Sequence, residues 1–345
     1  MSDSPNITLK GTSWYPNNDS YTNYGLITIY TALQYSLNTV AAQIVDKLPM
    51  GPQTSYDYLT THLGVTSLVP EDCDYAPMAL GELTYGLTVR EMAQAYCPFV
   101  NDGIFTYSRT YSLVTDKDGN VVIDNAPSTI QAFKPNTAYT MTYMMQNGVE
   151  NGTGGEAALW TMPVAGKTGS SSNYQDRWFV GCTPYYVAAV WTGYDRQERL
   201  SSHLGNPSTT LWRQAMSEVH KTLPYKEFAQ PDASSLKTVT YCLSSGMLPG
   251  PACGGHLATG TFFAEDVPTG TCPYHKVQKP ADTNGSNGSD GNGSSTDPGD
   301  NTTDPGTDPG GGTTDPGGGT TPETPPAEGG GTETTPRRRR MAAAG

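Results

Sequence analysis

Hydrophobic and polar positions along the chain change period in a definite order. Thr28 to Leu48 places apolar residues at Leu33, Leu37, Val40, Ile44 and Leu48, close to helical spacing. Ser36-Leu37-Asn38 falls in the middle of that stretch. Ser and Asn side chains compete for backbone hydrogen bonds inside a helix, so the pattern predicts two helices with a break between them. Ser55 to Leu63 reads as a further helix stopped by Gly64. Thr88-Val-Arg-Glu91 is a capping box, opening a helix that carries Met92, Tyr96 and Phe99 on one side and ends at Asn101-Asp102-Gly103. Tyr111–Val114 and Val121–Ile123 flank Asp118-Gly119, a hairpin signal. Asn136 to Val149 is helical and runs into the Gly-rich segment Asn151-Gly-Thr-Gly-Gly155.

The period then shortens. Met162–Ser170, Trp178–Cys182 and Tyr186–Trp191 read as strands, the last two separated by Thr183-Pro184, as in an antiparallel meander. Leu211 to Leu223 closes with an amphipathic helix. A helix set, a three-strand meander and a final helix predict an α+β architecture, an antiparallel sheet covered by helices. From Phe228 to His275 the chain is rich in Gly, Pro and Cys and reads as a small β-like appendage.

Composition divides the 345 residues at about 225 and 280. From about Asn284 to Pro336 the chain is almost entirely Gly, Ser, Thr, Asn, Asp, Glu and Pro, with Asp-Pro-Gly at Asp297, Asp304, Asp308 and Asp315. Such a stretch cannot offset the entropy of ordering itself, so residues 281–345 are expected to form a disordered, acidic spacer. The Arg337–Arg340 run reads as a terminal oddity. A net charge of −13 argues against a general nucleic-acid binder. No run of 18 apolar residues is present, so no membrane segment is expected in this chain. Met1-Ser-Asp-Ser-Pro-Asn has neither a basic nor an apolar leader region; read alone this means cytoplasm, unless an export signal lies upstream.

Six cysteines are too few for a disulfide scaffold of this size. Cys73, Cys97 and Cys182 fall in apolar patterns and are expected to be buried thiols. Cys242, Cys253 and Cys272 cluster near His256 and His275. No C-x2-C pair is present, so the spacing fits no standard zinc pattern; a Cys242–Cys253 disulfide is the favoured alternative, and no metal is expected.

The sharpest chemical motif is Lys167-Thr168-Gly169-Ser170 on the first strand of the meander. An edge strand bearing an ammonium and hydroxyls, with Gly allowing close approach, suits a carboxylate-bearing peptide added as a further strand. The Ser170 N–H is placed to donate to a developing oxyanion. Ser36-x-Asn38 supplies a hydroxyl and a carboxamide at a helix break, fit to relay a proton and to hold a peptide amide.

Penicillin-recognising serine acyltransferases carry S-x-x-K, S-x-N and K-T-G in that order. Ala32-Leu33-Gln34-Tyr35-Ser36-Leu37-Asn38-Thr39-Val40-Ala41 resembles the S-x-N helix pair of class A (bifunctional) penicillin-binding proteins. Met78–Thr88, Met92–Tyr96, Asn101-Asp102-Gly103, Gly152-Thr153-Gly154, Asp176–Pro184 and Val190-Trp191-Thr192-Gly193 resemble later segments of that family. The resemblance runs from about Trp14 to Leu223. It implies the penicillin-binding/serine β-lactamase-like transpeptidase fold, here N-terminally incomplete, over residues 1–225. A small Cys-containing appendage (226–280) and the tail (281–345) would follow.

The resemblance also implies a peptidoglycan D,D-transpeptidase. Ser36 would be the proton relay, Asn38 the peptide clamp and Lys167 the electrostatic partner of Ser36. Thr168, Gly169 and Ser170 would form the substrate-binding strand for the terminal carboxylate. The implied partners are peptidoglycan stem peptides and β-lactam antibiotics, with no cofactor, at the extracellular face of the bacterial membrane or in the cell wall.

One element of the pattern is missing. The nucleophilic serine of S-x-x-K should precede Ser36, and none of the first 35 residues forms that motif. The sole match, Ser234-Ser235-Leu236-Lys237, follows the K-T-G strand in a loop-like stretch. The chain therefore reads as a fragment with the family's function by descent and little acyl transfer of its own. A non-catalytic peptidoglycan-binding module is the competing reading, and a secreted stalk a weaker third.

Overall fold

The computed structural model of the chain describes residues 1–201 and 205–275. The spacer expected at 281–345 and the Arg337–Arg340 run lie outside the described residues.

A short antiparallel pair, β1 (Ser2–Asp3) and β2 (Gly25–Leu26), opens the chain. It is followed by α1 (Ile29–Gln34) and α2 (Asn38–Lys47), broken where Ser36 and Asn38 predicted. Thr28 caps α1 through its side chain, and the break turns on Ser36, whose φ of 56° lies in the left-handed region. α3 (Pro52–His62) stops before Gly64 at φ 61°. α4 (Tyr75–Leu80) is capped by Asp74. α5 (Val89–Tyr96) opens with both arms of the Thr88/Glu91 capping box formed. It ends earlier than its apolar pattern, because Pro98 lies in the 3-10 segment Cys97–Val100 that completes the run to Asn101.

The hairpin signal at Asp118-Gly119 is met by β4 (Leu113–Thr115) and β5 (Val121–Asp124). Around it, β3 (Ile104–Thr106) pairs with β6 (Thr129–Gln131). Next come α6 (Pro135–Glu150) and the three-stranded meander β7 (Ala165–Ser170), β8 (Asp176–Cys182) and β9 (Val187–Gly193), antiparallel in the order β7-β8-β9. α7 (Pro207–Val219) begins earlier than its apolar spacing suggests, because Asn206 caps it and Pro207 takes the first turn. The hairpin β10 (Leu236–Cys242) with β11 (Leu257–Phe263) completes the described chain.

The meander is covered on both faces. On one, Phe179 of β8 meets Trp212 of α7 edge-on, at 5.2 Å between ring centroids, with Val149, Val164 and Met216 around them. The fully buried Trp212 donates its indole N–H to Ala188 O at 3.0 Å, so the ring is both packed and satisfied. Gly181 has no room for a Cβ, which would lie 2.5 Å from that indole. On the other face Met145 of α6 packs with Ala165, Cys182 and Phe228. Of the three cysteines expected to be buried, only Cys182 is; Cys73 and Cys97 are half-buried, because they sit at helix margins rather than under the sheet.

Candidate functional site

β7 is an edge strand, paired only with β8 among the described residues. Its first residues, Ala165 and Gly166, are buried. A Cβ at Gly166 would lie 2.6 Å from the Phe179 ring, so glycine lets the strand seat closely on the core. Lys167 follows directly and reaches the break between α1 and α2. There its ammonium donates to Ser36 Oγ at 2.7 Å and to Thr168 O at 2.9 Å.

The turn at Ser36 is built from the sequence around it. Ser36 N donates to Leu33 O and Leu37 N to Ala32 O, and the buried Leu37 anchors the corner. Behind it, the segment after α6 locks onto Gln34. Gln34 Nε2 donates to Asn151 O at 2.8 Å, and Thr153 N donates to Gln34 O at 3.3 Å. Asn147 Nδ2 donates to Gln34 Oε1 at 3.0 Å. A Cβ on Gly152 would come within 2.3 Å of Gln34 O, so only glycine permits this approach. Thr153 Oγ1 then lies 2.9 Å from Thr168 Oγ1. Three segments distant in sequence thus meet at one place: the α1–α2 break, the Gly-rich loop and the K-T-G strand.

Burial pushes the Lys167 amine down to about 8. No carboxylate lies within ion-pair distance of it among the described residues, so little opposes the desolvation penalty on the charged form. Burial thus favours the neutral amine at this position, beside the Ser36 hydroxyl it touches.

The remaining motif residues are placed less centrally. Asn38 opens α2, but its Nδ2 donates to Asn17 O at 2.8 Å, tying it to the N-terminal segment. Ser170 is exposed at the end of β7, where its Oγ accepts from Arg177 Nη1 at 2.7 Å. Arg177 stacks over Tyr174, 4.0 Å from the ring centroid, and its buried Nε has no hydrogen-bond partner. Residue-by-residue reading missed the contributions of Gln34, Thr153 and Arg177. The Gly-rich loop signal pointed to Thr153's neighbourhood, but nothing local marks Gln34 as its dock.

Ser234-Ser235-Leu236-Lys237 does not open a buried helix. Ser234 and Lys237 are exposed, on a 3-10 turn (Ala233–Ser235) leading into β10.

Residues 2–203 match the penicillin binding protein transpeptidase domain. The chain belongs to that family. Its sequence is of the class A type: it is 35% identical over 264 residues to penicillin-binding protein 1A of Clostridium botulinum strain Hall, covering 76% of this chain and 31% of that protein. Penicillin-binding protein 4 of Bacillus subtilis is 34% identical over 200 residues, 57% of this chain and 31% of the relative. The chain thus spans about a third of the length of these relatives. Among solved structures, penicillin-binding protein 1A from Haemophilus influenzae shares the fold at a TM-score of 0.61 and 17% identity, over 79% of this chain and 45% of that one. PonA1 from Mycobacterium tuberculosis gives a TM-score of 0.57 at 25% identity, over 67% and 65%. The expected α+β transpeptidase fold is therefore the one observed. No helix among the described residues is long and apolar enough to cross a membrane.

The C-terminal cysteines, whose spacing along the chain fits no standard zinc pattern, are brought together by the fold. The ligand atoms of Cys242, Cys253, Cys272 and His275 lie within 4.8 Å of one another, and all six cysteines are unpaired, Cys242 and Cys253 included. Spacing along the chain hid this, because the β10–β11 hairpin folds distant positions together.

Proposed function

We propose that this chain carries the peptide-binding and proton-relay part of a cell-wall D,D-transpeptidase site. The observation that carries the reading is the Lys167–Ser36 contact at 2.7 Å, which joins K-T-G to S-x-N. In this reading the D-Ala-D-Ala end of a stem peptide, or a β-lactam in its place, lies along the outer edge of β7. Thr168 and Ser170 hold its carboxylate, Gly169 leaves room for its backbone, and Asn38 clamps its amide. Lys167 keeps a positive field at the carboxylate while charged, and as a neutral amine it takes the proton that Ser36 relays.

No S-x-x-K precedes Ser36, and the sole match places Ser234 exposed on the 3-10 turn that leads into β10. The polypeptide as given is therefore proposed to bind without acyl transfer. Cross-linking of stem peptides at the outer face of a bacterial membrane is the function of the whole assembly to which these residues are suited.

Calorimetric titration with a tripeptide ending in D-Ala-D-Ala tests the reading. Binding to the wild-type chain that is abolished in Ser36→Gly and Lys167→Met supports it. Binding unchanged in both variants would place the ligand elsewhere.

The free edge of β7 also favours a second reading, a peptidoglycan-binding module without catalysis in any context. Retention on purified sacculi that survives Lys167→Met but is lost on disrupting the β10–β11 hairpin would favour that reading over the first.

A further inference from the structure

Outside the Ser36–Lys167 site, the densest group of reactive side chains lies at the loop end of the β10–β11 hairpin. Cys242 ends β10, Cys253 lies in the loop between the strands, and Cys272 and His275 follow β11. The three sulfurs converge on one atom, His275 Nδ1, at 3.5, 3.3 and 3.5 Å. A neutral imidazole nitrogen has a single lone pair and accepts one good hydrogen bond, so three equidistant thiols are not explained by S–H donation. A metal explains them. With Zn–S near 2.3 Å and Zn–N near 2.0–2.1 Å at tetrahedral angles, sulfur and nitrogen ligands stand about 3.6 Å apart.

Two further observations point the same way. A backbone N–H is aimed at one of the sulfurs: Gly250 N donates to Cys253 Sγ at 3.2 Å. Such a donor stabilises a thiolate and orients a metal ligand. The three cysteines are also themselves a buried cluster, while each of the two strands buries only its last residue. The loop between the strands holds no apolar cluster of its own apart from these cysteines, so a covalent or metal staple would fasten it. A Cys242–Cys253 disulfide would employ two sulfurs and leave Cys272 and His275 without a reason to converge.

We propose that Cys242, Cys253, Cys272 and His275 bind one zinc ion as a closed, structural Cys3His site that fastens the β10–β11 hairpin. Three thiolates and an imidazole suit a borderline-soft ion and do not suit calcium or magnesium, which take oxygen ligands. With four protein ligands no position remains for water, so the ion would act in folding and not in catalysis.

The test uses the full chain, purified reduced and stripped of metal, then given Zn²⁺ or Co²⁺ alone. The expected result is about one zinc retained per chain after gel filtration, and intense visible bands of tetrahedral thiolate-bound Co²⁺. Cys253→Ser should weaken zinc retention by about 10-fold or more, while Cys97→Ser, outside the cluster, leaves it unchanged. If Cys253→Ser does not fold, the wild-type cobalt spectrum decides. A pale, octahedral spectrum, no stoichiometric zinc, or a Cys242–Cys253 cross-link that survives in the native chain would each overturn the proposal.

Discussion

The Lys167 ammonium stands 2.7 Å from Ser36 Oγ across 131 positions of sequence, with no carboxylate partner among the described residues. Such a contact is costly to stability as well as suited to chemistry. Because burial lowers the folded-state pKa of Lys167 to about 8 from an ordinary 10.5, the unfolded chain binds more protons between those values. Stability should therefore rise with pH from about 8 to 10.5, and at pH 7 the charged amine forgoes roughly 3 kcal/mol. Lys167→Met should remove that pH dependence and be at least as stable as wild type at pH 7, while losing peptide binding. Urea denaturation across pH 7–10 checks this; a strongly destabilised Lys167→Met would show that the ammonium supports the fold.

The Gly-rich loop after α6 fixes the third side of the site. Gly152→Ala would press a Cβ against Gln34 O, which can move only by breaking the Asn151–Gln34–Thr153 hydrogen bonds. The expected cost is about 1–3 kcal/mol, with weaker binding because Thr153 no longer lies against Thr168. Denaturant midpoints and the calorimetric titration together check it. Gly155→Ala is the control, since a Cβ there meets nothing closer than 3.7 Å.

Glu91 holds α5 to the segment after α3. Its Oε1 accepts from Thr66 N at 2.7 Å and Ser67 N at 3.1 Å, and its Oε2 accepts from Thr88 N at 3.0 Å and from the Ser67 hydroxyl. Burial pushes its carboxyl up, but these donors outweigh it and draw the pKa down to about 2. A folded pKa below the unfolded value contributes stability that is present above about 4.5 and is lost as pH falls towards 2. Glu91→Ala should cost roughly 3 kcal/mol at pH 7, because buried backbone donors lose their acceptor, and should flatten the acid limb of the pH–stability curve. A thermal melt series from pH 7 to 2 reads both effects.

Much of the fold was legible because each device is local. The Ser36-x-Asn38 break, the Thr88/Glu91 box, the Asp118-Gly119 turn and the meander's alternation each follow from side chains within a few positions. The pairing of Lys167 with Ser36 was legible only through family resemblance, since neither residue's neighbours encode a partner so far along the chain. Gln34 and Arg177 were not legible at all: their roles come from what the sheet and the loop after α6 bring beside them. The convergence of the cysteines was hidden for a related reason. The ligand-spacing reading sought C-x2-C, whereas Cys272-Pro-Tyr-His275 carries the close pair as Cys and His.

These residues are proposed to bind the transpeptidase substrate without including the serine that is acylated. Incubating the 345-residue chain with a fluorescent penicillin and resolving it on a denaturing gel tests this. The expected result is no covalent label, with reversible binding lost in Lys167→Met. A stable label that survives denaturation, at Ser36, Ser234 or any other serine, would contradict it.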